Sequence, residues 1–228
     1  MQKMNCQMNN IAENIQSIRN QINKNVQLIA VSKLKPCSDI MEAYNTGQRL
    51  FGENYVQELV EKHPQLPKDI KWHFIGHLQR NKVKYIIEFV SCIQGIDNEN
   101  LLKEVDKQAT KHNRIVDCLL QFHIAQEETK FGFTFDEAQQ MLQDPKFSDL
   151  QHIRICGVMG MASFTNDTHK ITKEFKQLKT YFDTLKQNYF ADKDYFKEIS
   201  MGMTNDFAIA QQEGSTMVRI GSAIFGKR

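Results

Sequence analysis

Lys33 stands near the end of the run Leu28-Ile-Ala-Val-Ser-Lys-Leu-Lys-Pro36, where strand-forming residues give way to a proline. A short apolar run bounded by a breaker reads as a strand buried on both faces. At the carboxyl end of such a strand an ammonium has an apolar floor beneath it and open loop space above. Desolvation there disfavours the charged form, the condition under which a lysine becomes an amine nucleophile able to form a Schiff base. The alternative is a lysine that snorkels from the strand end into water. Two further segments bear on the choice. Ser200-Met-Gly-Met-Thr-Asn-Asp206 puts hydroxyls and a glycine just before a helix start, and Gly221-Ser222 follows another apolar run. Glycine-containing turns of this kind let backbone N–H groups approach an anion, although both also serve as ordinary turns. Arg219, inside Met217-Val-Arg-Ile220, must be paired if buried, with a barrel carboxylate or with a ligand heteroatom. His73 and His77 flank Phe-Ile-Gly; a satisfied core histidine is the commoner case, and the intervening turn does not suit a metal-binding helix face.

The elements that position these residues follow from periodicity. An amphipathic helix over about 5–25 carries Ile11, Ile15, Ile18 and Ile22 on one face. Strands are expected at 26–33, 49–52, 71–76, 90–96, 115–123, 152–159, 196–201 and 217–220. Helices are expected at 38–47 with Ser38 as N-cap, then at 55–62, 81–88, 98–111, 135–143, 168–188 and 205–212. Alternating strands and helices require a parallel sheet with right-handed crossovers. Eight such units in 228 residues favour one closed (β/α)₈ barrel over residues 1–228, with an extra N-terminal helix, above an open sheet.

In that barrel the strand carboxyl ends share one mouth. Lys33, Glu53, Asn54, His73, His77 and Met159 reach it, with Ser200–Thr204 and Arg219–Ser222. Glu127, Glu128 and Lys130 read as a solvated turn after the fifth strand. A phosphate commonly rests between the loops after strands seven and eight. A lysine, an anion cradle and an arginine around one mouth suit pyridoxal 5′-phosphate, whose aldehyde needs an amine and whose phosphate needs donors.

Composition narrows the partners. The formal net charge is +2, with Lys and Arg spread along the chain, which gives no footprint for nucleic acid or an acidic membrane. No apolar run approaches the ~20 residues of a membrane span, and no secretory signal is seen. Five cysteines, at positions 6, 37, 92, 118 and 156, show no C-x-x-C spacing, so a disulfide framework is not expected. Cys92, Cys118 and Cys156 lie in apolar runs as small core residues. The expected address is the cytoplasm.

Five segments in order carry a family resemblance: Ala30-Val-Ser-Lys-Leu-Lys-Pro36, Phe51-Gly-Glu-Asn-Tyr-Val-Gln-Glu58, Trp72-His-Phe-Ile-Gly-His-Leu-Gln-Arg-Asn-Lys82, Ser200-Met-Gly-Met-Thr-Asn-Asp206 and Gly214-Ser-Thr-Met-Val-Arg-Ile-Gly-Ser-Ala-Ile-Phe-Gly226. Together they resemble the pyridoxal phosphate homeostasis proteins over about Ile29 to Gly226. The resemblance implies a fold-type III barrel similar to the N-terminal domain of alanine racemase, without that enzyme's C-terminal β domain. It implies that Lys33 is the Schiff-base lysine and that Ser200, Gly202, Met203, Thr204, Gly221 and Ser222 surround the phosphate. Arg219 would face the pyridine nitrogen, and Asn54, His73 and Met159 would line the ring pocket. A guanidinium there opposes protonation of the ring nitrogen and weakens the ring as an electron sink.

The implied role is to hold pyridoxal phosphate and exchange it with the free pool or with apo-enzymes, as a monomer. An amino-acid racemase-like enzyme is the alternative, with His73 as its only nearby second base. Lys35 reads as solvated, on the opposite face from Lys33 if the strand continues. Departures from the family pattern are Thr204 in place of serine, Arg80 in place of a small polar residue, and no acidic residue in Phe207-Ala-Ile-Ala-Gln.

Overall fold

Eight short runs of apolar and β-branched residues pair edge to edge in a computed structural model that describes residues 10–125 and 131–226. They are β1 (Gln27–Val31), β2 (Leu50–Glu53), β3 (Lys71–Phe74), β4 (Cys92–Ile96), β5 (Val116–Phe122), β6 (Ile153–Gly160), β7 (Glu198–Ser200) and β8 (Met217–Ile220). Each pairs in parallel with its sequence neighbour, and β8 returns to β1 through Ile29 opposite Arg219, so the sheet is a closed barrel. The expected (β/α)₈ architecture is present. Closure leaves no strand edge unpaired.

Side chains alternate across this wall. Ile29, Cys92, Leu119, Cys156, Met159 and Met217 form an interior cluster. Leu28, Ala30, Val218 and Ile220 pack in the larger layer between barrel and helices. Between β6 and β7 the strands approach so closely that a Cβ on Gly157 (φ +154) would lie 1.8 Å from the Glu198 carbonyl oxygen. Only glycine fits there.

The helices are α1 (Ile11–Gln21), α2 (Cys37–Asn45), α3 (Val56–Lys62), α4 (Glu99–Lys111), α5 (Phe135–Gln143), α6 (Thr168–Tyr189), α7 (Phe207–Gln212) and α8 (Ser222–Phe225). Local chemistry starts several of them. Asn98 caps α4, Asp167 caps α6, and Thr134 with Glu137 forms a capping box on α5. Helix α1 buries Ile11, Ile15 and Ile18, the face that its spacing marks, and Asn14 donates to the Ile224 carbonyl at 2.9 Å.

Three local expectations need correction. The 81–88 segment is not an α-helix but a 3₁₀ turn, Arg80–Tyr85, with no side-chain cap; the Ile86 amide bonds back three residues to the Val83 carbonyl. Helix α2 begins before Ser38, with Pro36 at the N-cap position. β1 stops at Val31, so Lys33 and Lys35 lie in a turn; had the strand continued, residues two apart would have shared one face. Glu127, Glu128, Lys130 and Cys6 lie outside the described residues.

Candidate functional site

Beyond β1 the chain turns sharply: the Lys35 amide donates to the Ser32 carbonyl at 3.1 Å, and Leu34 takes a left-handed conformation with φ 61°. Lys33 sits at this bend and lines a cavity of about 610 Å³ at the strands' carboxyl ends. Asn54, just past β2, lines it too, placed by the close approach of β3's continuation: a Cβ on Gly76 would lie 2.4 Å from the Asn54 carbonyl oxygen. The Asn54 Oδ1 atom is buried with no hydrogen-bond partner.

Met203 and Thr204, after β7, and Gly221 and Ser222, after β8, form the opposite wall. Ser222 Oγ donates to Thr204 Oγ1 at 3.1 Å, which joins hydroxyls from two loops. Asp206 lines the cavity with them: its carboxylate accepts from the Met203 amide at 2.5 Å, and burial raises its pKa above the usual carboxylate value. Arg219 reaches the cavity from the barrel interior, with only 4% of its surface exposed. Burial lowers its pKa to about 10, so it stays cationic at neutral pH. The Asp206 carboxylate acts on it by charge, but its hydrogen-bond partners are not carboxylates. Nη1 donates to Ser200 Oγ at 2.6 Å and Nη2 to the Gly160 carbonyl at 3.0 Å.

His73, Met159, Ser200 and Gly202 do not line the cavity; they form the layer beneath it. Gly202 (φ +95) accepts from the Arg219 amide at 2.9 Å, and a Cβ there would meet Ala210 at 2.6 Å. Ser200 Oγ donates to Gln94 Oε1 at 2.6 Å, and Gln94 Nε2 lies 2.8 Å from His73 Nδ1. The direction of this chain follows from its first member. Arginine can only donate, so Ser200 accepts from it and donates to the Gln94 oxygen. The Gln94 amide nitrogen then donates to His73 Nδ1, which fixes a neutral imidazole protonated on Nε2. Burial holds the His73 pKa down at about 4, in keeping with that state.

Sequence reasoning missed Gln94, although a glutamine inside Cys92-Ile-Gln-Gly-Ile96 is the same signal as an arginine inside β8. It also missed Lys35 as a lining residue. Lys35 Nζ donates to the Phe225 carbonyl at 2.7 Å and ties the end of α8 to the mouth. Elsewhere on that face, His77 Nδ1 lies 2.8 Å from Asp97, and its ring stacks on Phe131 at 3.8 Å. His77 lines a neighbouring cleft. Among the described residues, no cluster of His, Cys, Asp or Glu is arranged to hold a metal ion.

Residues 6–228 match the family model described as alanine racemase, N-terminal domain. A pyridoxal phosphate homeostasis protein of Pasteurella multocida is 39% identical over 206 residues, covering 89% of this chain and 87% of the relative. One from Aquifex aeolicus is 36% identical over 203 residues, covering 89% and 87%. The PipY protein of Synechococcus elongatus is 36% identical, with a TM-score of 0.88 without pyridoxal phosphate and 0.86 with it bound; each comparison covers 95% of this chain and all of PipY. Alanine racemase from E. faecalis, at 17% identity and TM-score 0.74, covers 96% of this chain and 58% of its own, and shares the barrel fold.

Proposed function

This chain belongs to the pyridoxal phosphate homeostasis protein family, and from that premise we propose that it binds pyridoxal 5′-phosphate at the mouth of the barrel and exchanges it with the free pool or with apo-enzymes. The observation that carries the reading is the lining of one cavity. An amine (Lys33), paired hydroxyls (Thr204 and Ser222), a buried cation (Arg219) and an amide side chain (Asn54) line a common space. These groups fit the cofactor in kind: a nucleophile for an aldehyde, donors for a phosphate, and a polar edge for a pyridine ring. Bound there, pyridoxal 5′-phosphate supplies an aldehyde that condenses reversibly with an amine and releases water.

In this reading Lys33 supplies the amine. Thr204, Ser222 and the Met203 and Gly221 backbones hold the phosphate. Arg219 faces the ring nitrogen and disfavours its protonation. Asn54 orients the ring, while His73, Met159, Ser200 and Gly202 form the floor that fixes these groups. The racemase-like alternative has less support: His73 is buried, does not line the cavity, and has Nδ1 engaged by Gln94. Among the described residues no helix is long and apolar enough to cross a membrane. Cytoplasmic location, a monomeric state, one domain over residues 1–228 and apo-enzymes as recipients belong to this proposal.

Incubation with pyridoxal 5′-phosphate, borohydride reduction and peptide mass spectrometry test it. The expected result is a pyridoxyl group on Lys33 and loss of the visible cofactor band in Lys33→Ala. Labelling elsewhere, or an unchanged spectrum in the variant, overturns the assignment. Release of α-hydrogen label from L-amino acids would instead favour the racemase-like reading.

A further inference from the structure

Lys62, the last residue of α3, is 5% exposed and uses all three ammonium protons. Its Nζ donates to the Ser32 carbonyl at 2.8 Å, to Glu53 Oε1 at 2.8 Å and to Glu58 Oε1 at 2.6 Å. The two carboxylates grip the same turn. Glu53, fully buried at the end of β2, accepts from Ser32 Oγ at 2.6 Å; Glu58 accepts from the Leu34 amide at 2.5 Å. The residues before and after Lys33 are therefore both held by one ion cluster, Ser32 at two atoms and Leu34 at its amide.

Stability alone does not explain this arrangement. Burying an ammonium and a carboxylate costs desolvation that their attraction roughly repays, and an apolar replacement is often no less stable. Burial raises the Glu53 pKa above its usual value, and Glu53 Oε2 and Glu58 Oε2 have no hydrogen-bond partner. Leu34 adds a second sign. A non-glycine residue at φ 61° is strained, and Leu34 is 56% exposed, so packing offers little compensation. The bond from its amide to Glu58 opposes the strain directly.

We infer that Lys62 is a positioning residue: with Glu53 and Glu58 it clamps the Ser32–Lys35 turn and so presents the Lys33 amine to the cavity. This rests on the reading of Lys33 as the attachment site. Labelling of wild-type Lys33 tests that reading, and the variants below test the clamp.

Lys62→Met is compared with wild type using two probes, pyridoxal 5′-phosphate with borohydride trapping, and 4′-deoxypyridoxine 5′-phosphate, which lacks the aldehyde. The expected result is trapping on Lys33 slowed by about tenfold or more, with binding of the deoxy analogue within about twofold of wild type. A merely structural role would weaken both probes together. Glu58→Ala, at a partly exposed position, keeps the Lys62–Glu53 pair and is expected to slow trapping in the same way. It should also speed hydrogen exchange of the Leu34 amide in the cofactor-free protein. Trapping at the wild-type rate in both variants, or parallel loss of both probes in both, overturns the inference.

Discussion

At the scale of single residues, Arg219, Ser200, Gln94 and His73 form a chain in which each donor and acceptor is assigned by its neighbour. Protonating His73 on Nδ1 would set two donors face to face at Gln94. Turning the amide would then leave Ser200 Oγ facing N–H groups on both sides. The histidine is therefore a pH-sensitive member of the floor. Its pKa falls from 6.5 in the unfolded chain to about 4 in the fold, chiefly through burial. The unfolded state thus takes up the proton first, and stability is lost as the pH drops from 6.5 toward 4, by up to about 1.4 kcal/mol per unit. Glu53 and Asp206, both raised by burial, act in the opposite sense, so the comparison must isolate the histidine. Denaturant unfolding of wild type and His73→Gln between pH 7 and 4 does this. The variant is expected to show a shallower acid slope, and equal slopes would contradict the assignment.

At the scale of elements, the parts legible from local pattern are those whose signals are local. The apolar runs of β5 and β8 and the span of α5 occur where periodicity places them. The 81–88 segment carries apolar positions at helical spacing, but its first turn has no side-chain cap and tightens to 3₁₀. Lys35 misleads twice: residues two apart share one face of a strand, and β1 ends at Val31, before either lysine. Contact between elements has its own signature at Gly157. Alanine there would drive Cβ into the Glu198 carbonyl, where backbone rather than a flexible side chain must yield. Gly157→Ala is expected to destabilise by on the order of 3 kcal/mol or more, or to prevent soluble folding, as read from the denaturant midpoint. A midpoint close to wild type would mean that β6 and β7 separate at little cost.

For the whole molecule, barrel closure decides which groups meet water. Cys92, Cys118 and Cys156 are buried on three consecutive strands, and burial raises all three thiols, Cys156 to about 12. Cys37, half-buried at the start of α2, is the accessible one among the described cysteines. A thiol reagent followed by peptide mapping is therefore expected to modify Cys37 in the native protein and the three strand cysteines only on unfolding. Early modification of Cys92 would show that the barrel opens locally. The cavity depends on closure as well, since its walls come from the segments after β1, β2, β3, β6, β7 and β8.

From the amino-acid order alone follow the alternation of strands and helices, the lysine after the first strand and the glycine-containing turns after the last two. Each is written in neighbouring residues through period, breakers and caps. Tertiary structure decided the pairings: Gln94 against Ser200 and His73, and Lys62 beneath the turn of Lys33. Those contacts depend on strand register and on how a helix end meets the barrel wall. Hydrogen bonds are directional to within a few tenths of an ångström, and no local period encodes that placement.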